Sequence, residues 1–204
     1  MPATLTHSYF VMDGLNLLDK KSQELLKDSL GLLKITAQST DPFMLYNFFK
    51  PWNKNTKKIV AFANVFHNTK SGEFLITFTE YIKRKNLINN PNIIAMLYGF
   101  ISHYVLDSTM HPYVYYKTGK FESGEKTTYK YNAKHHIMES YIDNYLVQKK
   151  ERIKHYKYKC YKLFDNIGAL NNEPCKVLDD VFKDTYNYKD FSKDYSSCPH
   201  CGAD

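Results

Sequence analysis

A long apolar helical pattern in mid-chain carries three side chains that an apolar core tolerates poorly. Ile93, Ile94, Met96, Leu97, Phe100, Ile101, Tyr104 and Val105 recur at helical spacing, and among and after them stand His103, Asp107 and His111. The spacing is H-x-x-x-D-x-x-x-H. At about 100° per residue, positions i, i+4 and i+8 share one helix face. A buried carboxylate without a partner is costly, and a divalent ion is one of the few ways to offset that cost. Two imidazoles and a carboxylate suit a borderline metal such as zinc. The same run also has a purely structural reading. His103 would then bond Asp107 in the core, and His111 would sit at a helix C-terminus favoured by the dipole. Asn89-Asn90-Pro91 predicts the start of this helix, since proline is favoured in a first turn. Pro112 disfavours helical geometry at His111. It predicts a helix that stops there and a His111 that swings toward a second ion.

The rest of the chain reads as helical too. Leu17, Leu18, Leu25, Leu26, Leu30 and Leu33 predict a first helix over residues 8–33. Asp41 before Pro42 suits a turn or a helix N-cap. One helix runs through Val60, Ala63 and Phe66 to end near His67, and another opens at Ser71-Gly72-Glu73 and reaches Lys85. Residues 113–130 look irregular, and a further helix spans 132–155. No segment alternates like a strand. Only 8 glycines and 7 prolines stand against 18 tyrosines and 13 phenylalanines, which favours helices around an aromatic core. The expectation is an all-α, single-domain helical bundle. Residues 1–155 form its metal-binding catalytic part, and 156–204 form a helical extension packed on it. Residues 196–204 are expected to be a disordered tail.

A net charge of +7 favours phosphate-bearing partners, lipid surface or nucleic acid, without choosing between them. No basic and apolar leader pattern opens the chain, and no run of 18 to 20 apolar residues appears. A cytoplasmic protein with no transmembrane segment is therefore expected. Cys160 and Cys175 stand alone. Cys198-Pro199-His200-Cys201 is at best half of a zinc ribbon.

Other metal-competent groups are scattered along the sequence: His7 at the start of the first helix, Asp41 in its turn, and His67 at a helix end. His135 and Glu139 are i, i+4 and share a face, whereas His136 and Glu139 are i, i+3. Each has a bland reading as a cap, a helix terminus or a surface ion pair.

Taken in order, His7, Asp41, His67, His103-x3-Asp107, His111 and His135-x3-Glu139 resemble the zinc-dependent phospholipase C family, whose fold is shared with tri-zinc single-strand-specific nucleases. The local contexts resemble it as well: Thr6-His7-Ser8-Tyr9-Phe10-Val11, Phe66-His67-Asn68-Thr69-Lys70-Ser71-Gly72-Glu73, His103-Tyr104-Val105-Leu106-Asp107 and Met110-His111-Pro112. The similarity covers about residues 5 to 150. The resemblance implies that Asp41, His67, His103 and Asp107 hold a first zinc. His111, His135 and Glu139 would hold a second, and His7 would share a third with Asp107, which bridges. The chain departs from the family in two places. The family's N-terminal tryptophan, which completes the third site, has no counterpart here, where the sole tryptophan is Trp52. The aromatics that flank the first site in well-studied members are replaced by Pro42 and Asn64, so phosphatidylcholine preference is not carried over.

The resemblance implies two to three Zn2+ ions and hydrolysis of a phosphodiester, with Asp41 orienting or deprotonating the attacking water. The expected substrate is a phospholipid or related phosphoester, with peripheral membrane contact. Two alternatives remain open. One is a single-strand nuclease-like phosphodiesterase, which the Lys/Tyr-rich stretches would suit. The other is a non-catalytic, metal-stabilised helical interaction protein.

Overall fold

The computed structural model describes residues 4–44, 46, 51–159, 173–189 and 191–196. Among these are ten α-helices and no strand: α1 (Thr4–Leu15), α2 (Lys20–Leu26), α3 (Leu30–Thr36), α4 (Asp41–Met44), α5 (Lys54–Asn68), α6 (Ser71–Arg84), α7 (Pro91–Thr118), α8 (Tyr129–Glu151), α9 (Glu173–Tyr186) and α10 (Phe191–Ser196). The Cys198–Cys201 tail and Cys160 lie outside the described residues.

The central element is α7. Asn90 caps it by accepting the amides of Asn92 and Ile93, and Pro91 fills its first turn, where no amide partner is needed. Gly119, at φ +85°, ends it by donating its N–H to Tyr115 O at 2.8 Å. By length and composition α7 could cross a bilayer. Here it is the axis of the bundle, packed against α1, α2, α3, α6, α8 and α9. Its closest neighbour is α3, and Gly99 makes that approach possible. A Cβ there would lie 2.9 Å from Ala37 N and Leu33 O and would collide with the Thr36 hydroxyl. One turn further along α7 stands His103.

The core is rich in rings. Phe66, Phe74, Phe100 and Phe182 meet at centroid distances of 4.6 to 6.2 Å. Such pairs add about 0.5–1.5 kcal/mol beyond their buried area. Phe182 belongs to α9, so the C-terminal helices share this core with α5, α6 and α7. Tyr81 also donates to Asp180 at 2.7 Å, tying α6 to α9.

Three expectations are corrected. The first helix is three helices. Asp19 accepts from Lys21 N and Ser22 N and starts α2 afresh, while Gln23 donates to Asn16 O and Leu18 O across the break. Leu17 falls in that break and is 87 % exposed. The central helix does not stop at Pro112 but continues to Thr118. A proline inside a helix forfeits one hydrogen bond and costs roughly 3 kcal/mol. Burial of Val114 and Thr118 beyond it offsets this. Residues 113–118 are therefore helical, and the irregular stretch is confined to 119–128, with a 3-10 turn at Lys126–Thr128.

Candidate metal centre

Five helices bring the eight sequence-selected side chains together. His7 comes from the first turns of α1, Asp41 from the start of α4, and His67 from the end of α5. His103, Asp107 and His111 descend α7, and His135 and Glu139 stand on α8. Because α7 runs straight through Pro112, His111 does not swing. Eight residues of helix rotate it by about 80° from His103. That turns it toward α8, where its Nε2 is 3.6 Å from Glu139 Oε1.

The first cluster is tight. His67 Nε2 is 2.6 Å from Asp41 Oδ1 and 3.3 Å from His103 Nε2, and His103 Nε2 is 3.2 Å from Asp107 Oδ2. The ring orientations are imposed from behind. His103 Nδ1 lies 3.0 Å from Ala37 O, and His67 Nδ1 lies 3.0 Å from Ala63 O, with Thr40 Oγ1 at 3.3 Å. A carbonyl only accepts, so each Nδ1 must carry the proton. Each Nε2 of a neutral ring then presents a lone pair to the centre. Two such lone pairs 3.3 Å apart, beside two carboxylates, repel unless a cation lies among them. Both Asp41 oxygens are buried without a hydrogen-bond partner, despite their closeness to His67. This arrangement suits a cation at the centre.

Asp107 faces two ways. Its Oδ2 looks to His103, and its Oδ1 is 3.4 Å from His7 Nε2 and 3.9 Å from His111 Nε2. His7 is fully buried, stacks on the His103 ring at 4.5 Å, and has a hydrogen-bond partner on neither ring nitrogen. In the α8 cluster, His135 Nε2 is 2.8 Å from Glu139 Oε1. His136 has its Nδ1 3.6 Å from the other oxygen, and its side chain is 50 % exposed. Three sets of donor atoms, His7–His103–Asp107, Asp41–His67–His103 and His111–His135–Glu139, are each compact enough for one ion.

Electrostatics agree with the geometry. Burial pulls the imidazoles of His67, His103 and His111 toward the neutral form. The carboxylates of Asp41, Asp107 and Glu139 more than reverse this and raise all three. Burial pushes the Asp107 and Glu139 carboxyls up, yet the surrounding histidines hold both well below the usual carboxylate range. The field at the centre favours a cation, whether protons or a metal ion.

The chain matches the family model for zinc dependent phospholipase C over residues 5–193. It belongs to that family. No match was found among characterised proteins or among solved structures. Membership makes the chain a zinc-dependent phosphoric ester hydrolase of the phospholipase C type, and the three donor sets accord with several zinc ions.

The centre opens on a cleft. It has a volume of about 1070 Å³ and is bordered by His67, His103, Asp107, His111 and His135. Asp41 and Glu139 lie buried behind those imidazoles. Polar groups further along the wall are Asn64, Asn68, Ser108, Asn132 and Lys120, and Tyr104, Tyr115 and Phe121 supply partly exposed rings. Sequence reasoning missed the carbonyls of Ala37 and Ala63, and nothing in a sequence marks which carbonyl will turn inward. It also missed Asp143, whose signal was available: it continues the His135–Glu139 stripe by one more turn of α8.

Proposed function

We propose that this chain hydrolyses the phosphodiester of a phospholipid at a zinc cluster divided among the three donor sets. Asp41, His67, His103 and Asp107 hold one ion, and His111, His135 and Glu139 hold another. His7 shares a third with the free oxygen of Asp107. The observation that carries this reading is Asp107, whose two oxygens each face a different set of imidazoles. Bound zinc would neutralise charge growing on the phosphoryl oxygens and make a water acidic enough to act near neutral pH.

The protein's own groups do the rest. Three carboxylates, Asp41, Asp107 and Glu139, stand among neutral imidazoles, so two divalent ions leave a formal charge of about +1 and three about +3. That excess attracts an anionic diester. Asp41 Oδ2, 3.9 Å from His7 Nε2 and without a hydrogen-bond partner, is the group we assign to orienting the water and taking its proton. Lys120 and the exposed rings along the cleft suit contact with a lipid surface, where amphipathic aromatics and lysines favour the interface.

Lys130 and Lys134 over Tyr131 on α8 would also suit single-stranded nucleic acid. The deciding experiment offers the zinc-loaded protein short-chain phospholipids and single-stranded oligonucleotides side by side. Release of phosphorylated head group at a rate abolished by chelation is expected. Cleavage of oligonucleotides alone would move the assignment to the nuclease reading, and turnover of neither to the non-catalytic one.

A further inference from the structure

His7 differs from its neighbours in one respect. The rings of His67 and His103 are aimed by carbonyls on their Nδ1 atoms, whereas His7 Nδ1 has no hydrogen-bond partner and its Nε2 faces only the carboxylates of Asp107 and Asp41. Its direction must be fixed through its backbone. The first turn of α1 has no acidic residue of its own. The exposed amides of that turn are taken up by a carboxylate from another helix. Asp143 of α8 accepts Leu5 N at 3.1 Å through Oδ2, and Thr6 N at 2.7 Å and Thr6 Oγ1 at 2.6 Å through Oδ1. A negative charge at a helix start is favoured by the unpaired N–H groups and by the helix dipole. On the other side, buried Gln38 donates to Thr4 O at 3.2 Å and Ser8 Oγ at 3.1 Å. His7 thus sits between two clasps. Asp143 is one helical turn from Glu139, so the clasp on α8 shares its rod with the second donor set.

We propose that Asp143 is a positioning residue for the metal site that includes His7. By capping α1 from across the bundle, it holds the unbonded His7 ring in register with Asp107. Each hydrogen bond to a charged acceptor is worth more than an ordinary one, and three converge on this carboxylate. It does for the His7 backbone what Ala37 and Ala63 do for the other two rings. The proposal rests on the reading that His7 holds an ion.

The test compares zinc binding by five full-length proteins, titrated against a competing chelator, with the absorption spectrum of the cobalt-loaded forms as a second readout. They are the wild type, His7→Ala, Asp143→Asn, Thr6→Val and Asp19→Ala. The last removes the cap of α2, which accepts two amides and a hydroxyl just as Asp143 does but has no path to His7. Asp143→Asn is expected to weaken one ion by about 10- to 100-fold, the usual effect of removing a group that orients a ligand. It should change the cobalt spectrum as His7→Ala does, and leave the other ions in place. Thr6→Val should weaken the same ion less, since two of the three bonds survive, and it stands in if Asp143→Asn does not fold. Asp19→Ala should bind as wild type. Wild-type affinities in both Asp143→Asn and Thr6→Val, with His7→Ala losing an ion, would overturn the positioning role alone. Equal losses in Asp19→Ala would overturn it as well, by making the effect one of general stability. His7→Ala binding as wild type would instead remove His7 from the ligand set and take the proposal with it.

Discussion

Replacing Asp107 with asparagine keeps the shape of the side chain and removes one negative charge from the point where the donor sets meet. Its Oδ2 is 3.2 Å from His103 Nε2, its Oδ1 is 3.4 Å from His7 Nε2, and the side chain is largely buried. One unit charge about 4 Å from a divalent ion, at an effective dielectric near 20, is worth about 8 kcal/mol. Halving that for relaxation and for the amide oxygen that remains leaves roughly 4 kcal/mol. At about 1.4 kcal/mol per decade of affinity, the affinity of each ion sharing Asp107 should fall on the order of a thousandfold. Two ions share it, so both should weaken together. Asp41→Asn, by contrast, should weaken chiefly the ion held with His67. Zinc titration against a chelator, followed by metal analysis after gel filtration, separates these outcomes. If Asp107→Asn keeps full metal content at wild-type affinity, or if Asp41→Asn is the worse of the two, the bridging assignment is wrong.

Further outcomes follow from the same geometry. His135→Ala should lose the ion of the α8 set, while His136→Ala, whose side chain is half exposed, should retain it; metal analysis showing greater loss from His136→Ala would reverse the assignment. The metal-free protein should lose stability as pH rises above neutrality. The imidazoles of His67, His103 and His111 are raised above their unfolded value near 6.5, so their contribution is complete below about pH 6.5 and is lost as pH climbs through the folded values. Asp107 and Glu139 are depressed, so their contribution is present above about pH 4 and is lost as pH falls through the low folded values. Melting with chelator should therefore peak between about pH 4.5 and 6.5. Stabilisation by zinc should grow toward pH 8, since binding needs deprotonated imidazoles. A metal-free melting temperature that climbs steadily from pH 6 to 9 would contradict this. Gly99→Ala should destabilise the fold by about 1–3 kcal/mol by forcing α3 from α7. It should also weaken zinc by displacing Ala37 O from His103, and denaturant unfolding with and without zinc measures both effects.

The grouping of the candidate ligands was more legible in the sequence than the fold around it. Imidazoles and carboxylates are conspicuous on an apolar helix, and helical spacing alone puts His103 beside Asp107 and His135 beside Glu139. Helix boundaries were harder, because they turn on local contests that a leucine pattern does not record. Asp19 wins the contest in the first helix by capping a new start, and Pro112 loses its own because buried residues on both sides keep α7 intact. That second outcome altered the route by which His111 reaches its partners, though not the partners themselves. The groups that aim the ligands were the least legible. Every residue has a carbonyl, so only the close approach of α3 to α7 at Gly99 selects the one on Ala37. Asp143 could have been read from its spacing to Glu139, but its role depends on α1 crossing α8.

The central claim is that the buried, mutually repelling donors of His67, His103, Asp41 and Asp107 exist to hold metal. Metal analysis of the protein purified without chelator, and again after incubation with zinc and removal of the excess, tests it directly. Two to three zinc ions per chain are predicted, together with a melting temperature that falls when they are stripped. Less than one transition-metal ion per chain after zinc incubation, with an unchanged melting temperature, would contradict it.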